Sequence, residues 1–447
     1  MQTLRKYAFQ LLIVLLLVAL TAACGGNSSS SSGDGSSNGG ESGGGVTSGG
    51  DTDEVIELTF WASSQPDRED FKLTMARVER FNEEHPHIQM KIETTAHADY
   101  RTRLNTQAAG GQLPDIFQVW PGAELKPLVD GNAVQPINDI LDHWLDSGLM
   151  NPEVLSDFTF DGNTYAVPSA QNPTSFVFYD VDMLASVGYD EFPETYDEFK
   201  QLIEDLKAAG ITPIALGNSA PWVLQSVYIS TIADRFTGPE FLHQVMAGER
   251  KFTDEDFVAA LRVIEELCQM GAFNEDLNTI DSNQMIEYFL QGRSAMVIDG
   301  NWGIISILAN KPEDKNVGIA VFPLGETKSI STVAGNAWAL NSELEGERLE
   351  AAHTFMKWMF SEEFYRDLIS VGRIVAANVE IPEDADHDPL FLEMVRLFRE
   401  SPPAPVYDAT IPTAVNNVLQ NELQAITVGR STPEEAAENI QRALENM

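Results

Sequence analysis

Apolar positions along the chain follow two periods, one of two residues and one of three to four, in alternating blocks. This alternation is typical of short strands separated by amphipathic helices. The first blocks predict strand 55–61, a helix with Phe71 and Phe81 on its apolar face, strand 89–93, helix 100–109 and strand 115–120. A β-α-β-α-β order predicts an α/β fold with mainly parallel sheets that helices cover on both faces.

Helix-start signals recur further along the chain. Thr195 with Glu198 and Thr432 with Glu435 predict two capping boxes, and Thr253 predicts the start of another helix. Further strands are predicted at 165–167, 175–179, 213–216, 295–298, 317–321 and 337–340. The sequence contains no short internal repeat and no coiled-coil pattern, so a globular α/β protein remains the best interpretation.

The first 23 residues have the features of an export signal. Arg5 and Lys6 precede the apolar run 11–20, which is shorter than the roughly 20 residues that a membrane span needs. Leu20-Thr21-Ala22-Ala23-Cys24 resembles a bacterial lipobox. The resemblance implies that residues 1–23 are a lipoprotein signal peptide, cleaved before Cys24, whose sulfur then carries a lipid with palmitate-like chains. The alternative is an ordinary signal peptide followed by a chance cysteine.

A segment rich in small residues follows the lipobox. Residues 25–50 contain 11 Gly and 9 Ser, so residues 24–50 are predicted to form a lipid-bearing flexible tether. A tether of this length suits the outer face of the cytoplasmic membrane in a Gram-positive bacterium. Once Cys24 is lipidated, Cys268 has no partner, and we expect a buried thiol rather than a disulfide.

The charge balance narrows the possible partners. The chain has 28 Lys+Arg and 68 Asp+Glu, a formal net charge of −40. A nucleic-acid binder needs a basic face, so nucleic acid is excluded as a partner. The hydrophobic fraction of 43% is that of a folded protein, and 447 residues allow two or three domains.

Signatures of catalysis and of metal binding are missing from the sequence. Neither a Gly-x-Ser-x-Gly elbow, a His-Glu-x-x-His pair nor a phosphate-binding glycine loop is present, so we expect no enzyme, no cofactor and no metal. Asp384, Asp386 and Asp388 have some likeness to a calcium loop, but the glycine turn and distant glutamate of such a loop are absent. A solvated acidic loop is the better interpretation.

Aromatic and amide residues cluster where predicted strands end. In open α/β sheets, ligands bind beyond the carboxyl ends of strands, where indoles suit the C–H faces of sugar rings and amides suit vicinal hydroxyls. The tryptophans in such positions are Trp61, Trp120, Trp222, Trp302 and Trp338, and the amides are Gln118, Gln171, Asn172, Asn301 and Asn336. Core packing explains the position of any one of these tryptophans as well as ligand binding does, but it explains the positions of all five less easily.

Five segments carry a resemblance to the extracellular solute-binding proteins of carbohydrate ABC importers, the group related to maltose-binding protein. The segments are Gly111 to Ile116, Asp161 to Pro168, Phe178 to Asp180, Ala295 to Trp302 and Gly429 to Ala436. The fourth, with its Ala-Met-x-x-x-Gly-x-Trp pattern, is the most specific. In the third, Asp180 replaces the usual asparagine. The resemblance covers essentially all of residues 51–447.

The resemblance implies a two-lobed periplasmic-binding-protein-like fold of type II, with a ligand cleft between two α/β lobes. Lobe 1 would comprise residues 51–168 plus 331–378, and lobe 2 residues 169–330 plus 379–447. Trp302 would be the main stacking residue, with Asp299 or Asn301 nearby. The remaining positions that the family pattern assigns to the cleft are Gln118, Trp120, Gln171, Asn172, Trp222, Asn336, Arg373 and Tyr407.

These features lead to one functional hypothesis and two alternatives. The chain is predicted to be a monomeric, lipid-anchored protein that captures a neutral sugar or oligosaccharide and delivers it to an ABC permease. An extracellular carbohydrate-active hydrolase is the first alternative, and it would need a convergent carboxylate pair. A sugar-sensing partner of a membrane kinase is the second, since it would use the same fold and the same cleft.

Overall fold

The structure is a computed structural model, and it describes residues 55–63, 66–381 and 387–447. The predicted signal, Cys24 and the tether lie outside these residues. The strands are β1 (Ile56–Ser63), β2 (Ile88–Thr95), β3 (Ile116–Val119), β4 (Val134–Gln135), β5 (Thr159–Phe160), β6 (Asn163–Thr164), β7 (Ala166–Pro168), β8 (Gln171–Pro173), β9 (Phe176–Asp180), β10 (Thr212–Ala215), β11 (Ser294–Asp299), β12 (Val317–Val321), β13 (Ile330–Ala334), β14 (Ala337–Asn341) and β15 (Pro403–Ala404).

Helices separate most of these strands, as the sequence predicts. They are α1 (Glu69–Glu84), α2 (His97–Ala109), α3 (Lys126–Asp130), α4 (Asn138–Leu145), α5 (Pro152–Leu155), α6 (Val181–Ser186), α7 (Tyr196–Ala208), α8 (Ser230–Thr237), α9 (Phe241–Met246), α10 (Glu255–Gln269), α11 (Ser282–Leu290), α12 (Asn301–Asn310), α13 (Gly346–Met359), α14 (Glu362–Ser370), α15 (Pro389–Glu400), α16 (Tyr407–Thr410), α17 (Thr413–Thr427) and α18 (Pro433–Glu445). A π-helix spans Val223–Ile229, and 3₁₀ turns span Gly122–Glu124 and Ser156–Phe158. Among the described residues, no helix is both long and apolar enough to cross a membrane.

Two mixed sheets organise the chain. In the first sheet, β2, β1 and β3 are parallel, and β14 is antiparallel to β3, β4 and β7. In the second sheet, β10 and β11 are parallel, and β9 is antiparallel to β11 and β12. The α/β class is therefore confirmed, but the prediction of mainly parallel sheets is wrong, because each sheet contains more antiparallel than parallel pairs of described strands. Parallel pairing occurs where a helix connects consecutive strands, and antiparallel pairing occurs at strands that the chain enters from the other sheet.

Each sheet has its own hydrophobic core. The first sheet buries Phe60 and Ile116 against Phe355 of α13 and Trp144 of α4. The second sheet buries residues such as Phe178 in a separate cluster that α7, α10 and α17 complete. Strands β9 and β11 are apolar at almost every position, because helices cover both of their faces.

Asp115, a residue of the first family segment, joins three elements of the first sheet. Its Oδ2 accepts hydrogen bonds from the backbone N and Oγ1 of Thr59, each at 2.8 Å. The guanidinium of Arg348 on α13 donates to both carboxylate oxygens, at 2.6 and 2.7 Å. The residue therefore fastens β1 and α13 to the start of β3, a structural role that a sequence pattern alone does not distinguish from ligand binding.

The helix starts test the capping predictions. Thr195 and Thr432 both form complete capping boxes, with Glu198 and Glu435 as the third helical residues. The helix predicted to start at Thr253 is confirmed as α10, but its N-cap is Asp254, one residue later, and no side-chain hydrogen bond caps it. Cys268 is a free, half-buried thiol on α10, and burial raises its pKa to about 12.

Three stretches of chain, here called the crossing segments, pass between the two sheets: residues 169–175, 329–336 and 371–379. Strand β8 of the first is antiparallel to β13 of the second. Within the first segment, the backbone N of Gln171 donates to Ile374 O of the third at 3.0 Å. The crossing segments are therefore hydrogen-bonded to one another where they line the base of a cavity between the sheets.

Candidate functional site

A cavity of about 230 Å³ lies between the two sheets, above the crossing segments. Such a volume exceeds many times the roughly 10–15 Å³ that one water needs. One side, here the first wall, consists of Ser63, Arg68, Asp70, His97, Arg101, Gln118 and Trp120. The opposite side, here the second wall, consists of Trp222, Ser226, Asp299, Trp302 and Asp408. The cavity therefore takes its surface from parts of the chain that are remote in sequence.

Four rings in contact, here called the aromatic row, cross the cavity from wall to wall. The ring centroid of His97 lies 5.2 Å from that of Trp120 and 5.7 Å from that of Trp222. Trp222 in turn lies 5.8 Å from Trp302. Neighbouring rings meet at steep angles, the edge-to-face arrangement that the ring quadrupoles favour. The aromatic row thus presents apolar surface on both walls.

Two glycines at the start of α12 make room for the side chains of Trp302 and Asp299. A Cβ on Gly300 would lie 2.3 Å from carbons of the Trp302 ring, so the indole folds directly over the Gly300 backbone. A Cβ on Gly303 would lie 2.6 Å from Oδ2 of Asp299. The Gly-x-Trp-Gly sequence is therefore a packing requirement of this site.

Asp299 ends β11 as a buried carboxyl group. Its Oδ1 accepts a hydrogen bond from the backbone N of Gly300 at 2.9 Å. Burial raises the pKa of Asp299 to about 7, although this hydrogen bond and the charge of Arg68 act in the opposite direction. The group therefore changes protonation state near neutral pH.

A π-helix holds the other side of the second wall. Trp222 precedes the segment Val223–Ile229, and Ser226 lies within it. Both side chains reach the cavity, and Ser226 Oγ donates to Oδ2 of Asp408 at 2.9 Å. π-Helical turns are rare and often found at functional sites, and this one turns residues four apart toward one side.

A cluster of charges closes the cavity near the start of α1. Nε and Nη2 of Arg68 donate to the two carboxylate oxygens of Asp70, at 3.0 and 2.8 Å. Burial disfavours the charge of Asp70, but Arg68 outweighs this effect and the pKa of Asp70 is lowered. Arg373, from the third crossing segment, lies 3.9 Å from Asp70, and burial lowers its pKa to about 10. Arg373 is therefore still a cation at neutral pH.

The first wall holds polar side chains in defined positions. Ser63 lies at the end of β1, where its backbone N donates to Oε1 of Gln118 at 3.2 Å and its hydroxyl lies 3.1 Å from Nδ1 of His97. Arg101 covers the Trp120 ring at 4.6 Å and pairs with Glu124 at 2.8 Å. Burial, and next to it the charge of Arg101, lowers the pKa of His97 to about 3, so the imidazole is neutral.

Nine of the thirteen residues predicted for the cleft line this cavity. They are Gln118, Trp120, Asn172, Trp222, Asp299, Trp302, Asn336, Trp338 and Arg373. Trp338 contributes little, because its ring packs on those of Phe60 and Phe355 in the first core.

The structure does not bring the other four residues to the cavity. The ring of Trp61 is covered by the guanidinium of Arg103 at 3.6 Å. Asn301 is buried and donates from Nδ2 to the backbone O of Gln171 at 2.8 Å, so these two residues join α12 to a crossing segment. Tyr407 is buried against the ring of Phe257.

Sequence reasoning missed the charged residues and the histidine of the cavity. Arg68, Asp70, His97, Arg101 and Asp408 all line it. Their positions carry no motif, because Arg68 and Asp70 look like the charged start of a helix and His97 looks like one of seven scattered histidines. Only the tertiary structure brings them together.

The described residues contain no group of three or more His, Cys, Asp or Glu that could hold a metal ion. Asp384 and Asp386, which have some likeness to part of a calcium loop, lie outside the described residues. Asp388 is described, and its carboxylate caps α15 by accepting from the backbone N of Leu390 at 2.8 Å.

Comparisons with known proteins agree on the kind of molecule. A family model described as bacterial extracellular solute-binding protein matches residues 65–365. The multiple sugar-binding protein of Streptococcus mutans is 24% identical over 342 residues, which make up 74% of each chain. A solved chitin oligosaccharide binding protein has 25% identity and a TM-score of 0.80, over 88% of this chain and 98% of its own. Maltose-bound T. maritima MalE3, at 19% identity and a TM-score of 0.73 over 88% of this chain and 100% of its own, shares the fold.

Proposed function

The chain belongs to the family of bacterial extracellular solute-binding proteins, and we propose that it binds a neutral sugar or oligosaccharide for an ABC transporter. The observation that carries the proposal is the aromatic row, which places three indoles and a neutral imidazole along one cavity. Amides of Gln118, Asn172 and Asn336 line the same cavity. Apolar faces with a few placed polar groups are the usual composition of a small-molecule site and suit a sugar ring.

The charges of the cavity support a neutral ligand. Among the residues that the structure describes, three guanidinium groups line it, those of Arg68, Arg101 and Arg373, and three carboxyl groups, those of Asp70, Asp299 and Asp408. The cavity is thus formally balanced, whereas the whole chain has a net charge of −40. A neutral sugar experiences little of the field that would repel an anion from the surface.

Capture would occur by closure of two lobes around the ligand. We propose that the lobes meet at the crossing segments, with lobe 1 formed by residues 51–168 plus 331–378 and lobe 2 by the remainder of the folded chain. Contacts at the rim support a closed arrangement, because the Ala409 carbonyl packs on Gly122 and Thr413 Oγ1 donates to Ala123 O at 3.5 Å. A ligand that touches both walls makes more contacts in the closed form than in the open form, so its binding shifts the equilibrium toward the closed form.

Delivery would occur at the membrane surface. We propose that Cys24 is lipidated, that residues 25–50 act as the tether, and that a permease recognises the closed monomer at the outer face of the membrane of a Gram-positive bacterium. Cys24→Ala should abolish incorporation of a labelled palmitate into the protein in cells, because the sulfur that would carry the lipid is removed. Equal labelling of this variant and the wild type would contradict the anchor and leave the sugar site untouched.

We further propose that the cavity performs no catalysis. Glycoside hydrolysis needs one carboxyl group as acid and a second, unengaged carboxylate as nucleophile or base. Asp299 could supply a proton near neutral pH, but both oxygens of Asp70 are occupied by Arg68, and Asp408 accepts from Ser226. Release of reducing sugar from any glycan by the purified protein would overturn this point.

Calorimetric titration tests the proposed function. Purified protein is titrated with raffinose, maltotriose and chitotriose, and tryptophan fluorescence is followed in parallel. We expect saturable binding of at least one of these sugars with a change in fluorescence, because the three indoles of the aromatic row line the cavity. If none of a broad panel of neutral oligosaccharides binds, the proposal is wrong.

A further inference from the structure

Ser63, the last residue of β1, contacts two cavity side chains at once. Its backbone N–H holds Oε1 of Gln118 on β3, and its hydroxyl meets Nδ1 of His97 at the start of α2. One residue thereby sets the orientation of two hydrogen-bonding groups on neighbouring elements.

The Gln118 side chain lines the cavity and has only one of its two polar atoms in a hydrogen bond with a described residue. It is 4% exposed and lines the cavity, and its Oε1 is taken by Ser63. Its amide nitrogen makes no hydrogen bond with any described residue. A buried amide without a partner is costly, so an acceptor supplied by solvent or ligand is expected at this point.

His97 is placed to meet a ligand at the centre of the aromatic row. Its ring touches Trp120 on its own wall and Trp222 on the opposite wall. The Ser63 hydroxyl lies 3.1 Å from Nδ1, and either atom can donate in this contact, according to the tautomer of the ring. A hydroxyl that donates to Nδ1 places the proton of the neutral imidazole on Nε2, and this tautomer is part of the inference stated below. Nε2 itself makes no hydrogen bond with a described residue.

Burial, and after it the charges around the ring, keep His97 neutral. Arg101 on the same helix and Arg68 before α1 both oppose its protonation, and Asp70 and Glu124 are already paired with these two arginines. The ring therefore keeps its single N–H as a donor across the range of pH in which histidines usually titrate.

We infer that His97 is a ligand-binding residue that determines sugar specificity, and that Ser63 is its positioning residue. The inference rests on the proposed function. The Nε2–H of His97 and the amide N–H of Gln118 form a pair of donors with fixed directions. This pair selects sugars that place acceptor oxygens opposite both groups, while the ring contacts hold the sugar face.

The first test uses two substitutions at His97 with calorimetry against raffinose, maltotriose and chitotriose. His97→Phe keeps the ring contacts and removes the donor, whereas His97→Gln keeps an N–H near the position of Nε2. We expect His97→Phe to weaken the best wild-type sugar by about five- to tenfold, the effect of one hydrogen bond, and to change the ratio of affinities among the sugars. His97→Gln should retain most of the affinity.

The matched control is His143→Phe, an exposed histidine that also contacts a tryptophan ring, that of Trp144. It should leave all affinities unchanged. If the wild type binds a sugar and His97→Phe binds every sugar with wild-type affinity, the inference is overturned while the proposed function stands. If the wild type binds none, the proposed function is wrong.

The second test needs no sugar. ¹⁵N-histidine NMR of the protein assigns the tautomer of His97, with His97→Phe identifying its signals. We expect the Nε2–H tautomer in the wild type and in Ser63→Thr, and a loss of this preference in Ser63→Ala. An Nδ1–H tautomer in the wild type would contradict the positioning role of Ser63. A histidine spectrum that Ser63→Ala leaves unchanged would contradict it too, because a serine with only a structural role does not affect the tautomer of His97.

Discussion

The two walls of the cavity differ in what they offer to a ligand. The second wall contributes two neighbouring indoles, Trp222 and Trp302, and a buried carboxyl group that titrates near neutral pH. The first wall contributes one indole among hydrogen-bonding groups, and contacts within the protein fix the directions of Gln118 and His97. Apolar contact tolerates many sugars, whereas fixed donors do not. The difference suggests that the second wall supplies most of the affinity and the first wall most of the selectivity.

Removal of an indole from the second wall should cause the largest loss of sugar affinity. Trp302→Ala should weaken every bound sugar by about 1–3 kcal/mol, the value of a large apolar contact, with little change in their ratio. Calorimetry over the sugar panel measures both quantities. Trp358→Ala, a half-buried tryptophan on α13 in the first core, is the control and should bind as the wild type does. A loss confined to one sugar would show that the second wall also selects.

Contact between the walls can be tested at the rim. Gly122 has a φ of +59°, and a Cβ there would lie 2.0 Å from the Ala409 carbonyl oxygen. Gly122→Ala should hold the rim open and lower the affinity for every sugar by about tenfold, because affinity falls with the population of the competent form. Gly148→Ala is a matched control, since Gly148 has a φ of +70° with nothing within 4 Å. Equal affinities of the two variants would mean that rim contact does not contribute to binding.

Asp299 gives the second wall a characteristic pH dependence. Its pKa in the folded chain is raised to about 7 from an ordinary 3.8, so the folded state holds the proton more tightly than the unfolded state. The stabilising contribution is full below pH 3.8 and is lost as the pH rises through 7. Relative to Asp299→Asn, the wild type should therefore lose about 4 kcal/mol of unfolding free energy between pH 4 and pH 8, because the difference between a pKa of about 7 and one of 3.8 takes effect almost completely over this range. Urea unfolding at both pH values measures this, and a parallel dependence of the two proteins would contradict it.

His97 gives the first wall the opposite and smaller dependence. Its pKa is lowered to about 3 from 6.5, so the contribution is present above pH 6.5 and is lost as the pH falls toward 3. Relative to His97→Gln, the wild type should lose less than about 1 kcal/mol between pH 7 and pH 5, since the ring is only half-buried. The same unfolding experiment, run at these two pH values, decides the sign. A wild type that gains stability on acidification would contradict the neutral ring.

The sequence predicts the second wall better than the first. Trp302, Asp299 and Gly300 stand in one motif at the end of a strand, so local pattern places them together. Arg68, His97 and Arg101 belong to the starts of two helices, and only the packing of these helices on β1 and β3 brings them to the cavity. Tyr407 shows the opposite error, a residue that the sequence assigns to the cleft and the structure does not. The family pattern places this position near the cleft, but the ring of Tyr407 is buried in the core against Phe257.

The fold follows from the sequence more completely than the site does. Periodicity and capping signals predict most strands and the boxes at Thr195 and Thr432, because those depend on neighbouring residues. The π-helix at Val223–Ile229 and the strand β8 have no such local signal. Both depend on contacts between distant segments, and both contribute to the cavity.

The most direct test of the central account is a crystal structure of the protein with its best-binding neutral oligosaccharide. The account predicts that one sugar face lies against Trp222 and Trp302, while oxygens of the same ligand lie within hydrogen-bond distance of Gln118 and His97. A sugar bound outside this cavity, or one held by a single wall with the other facing solvent, would contradict it.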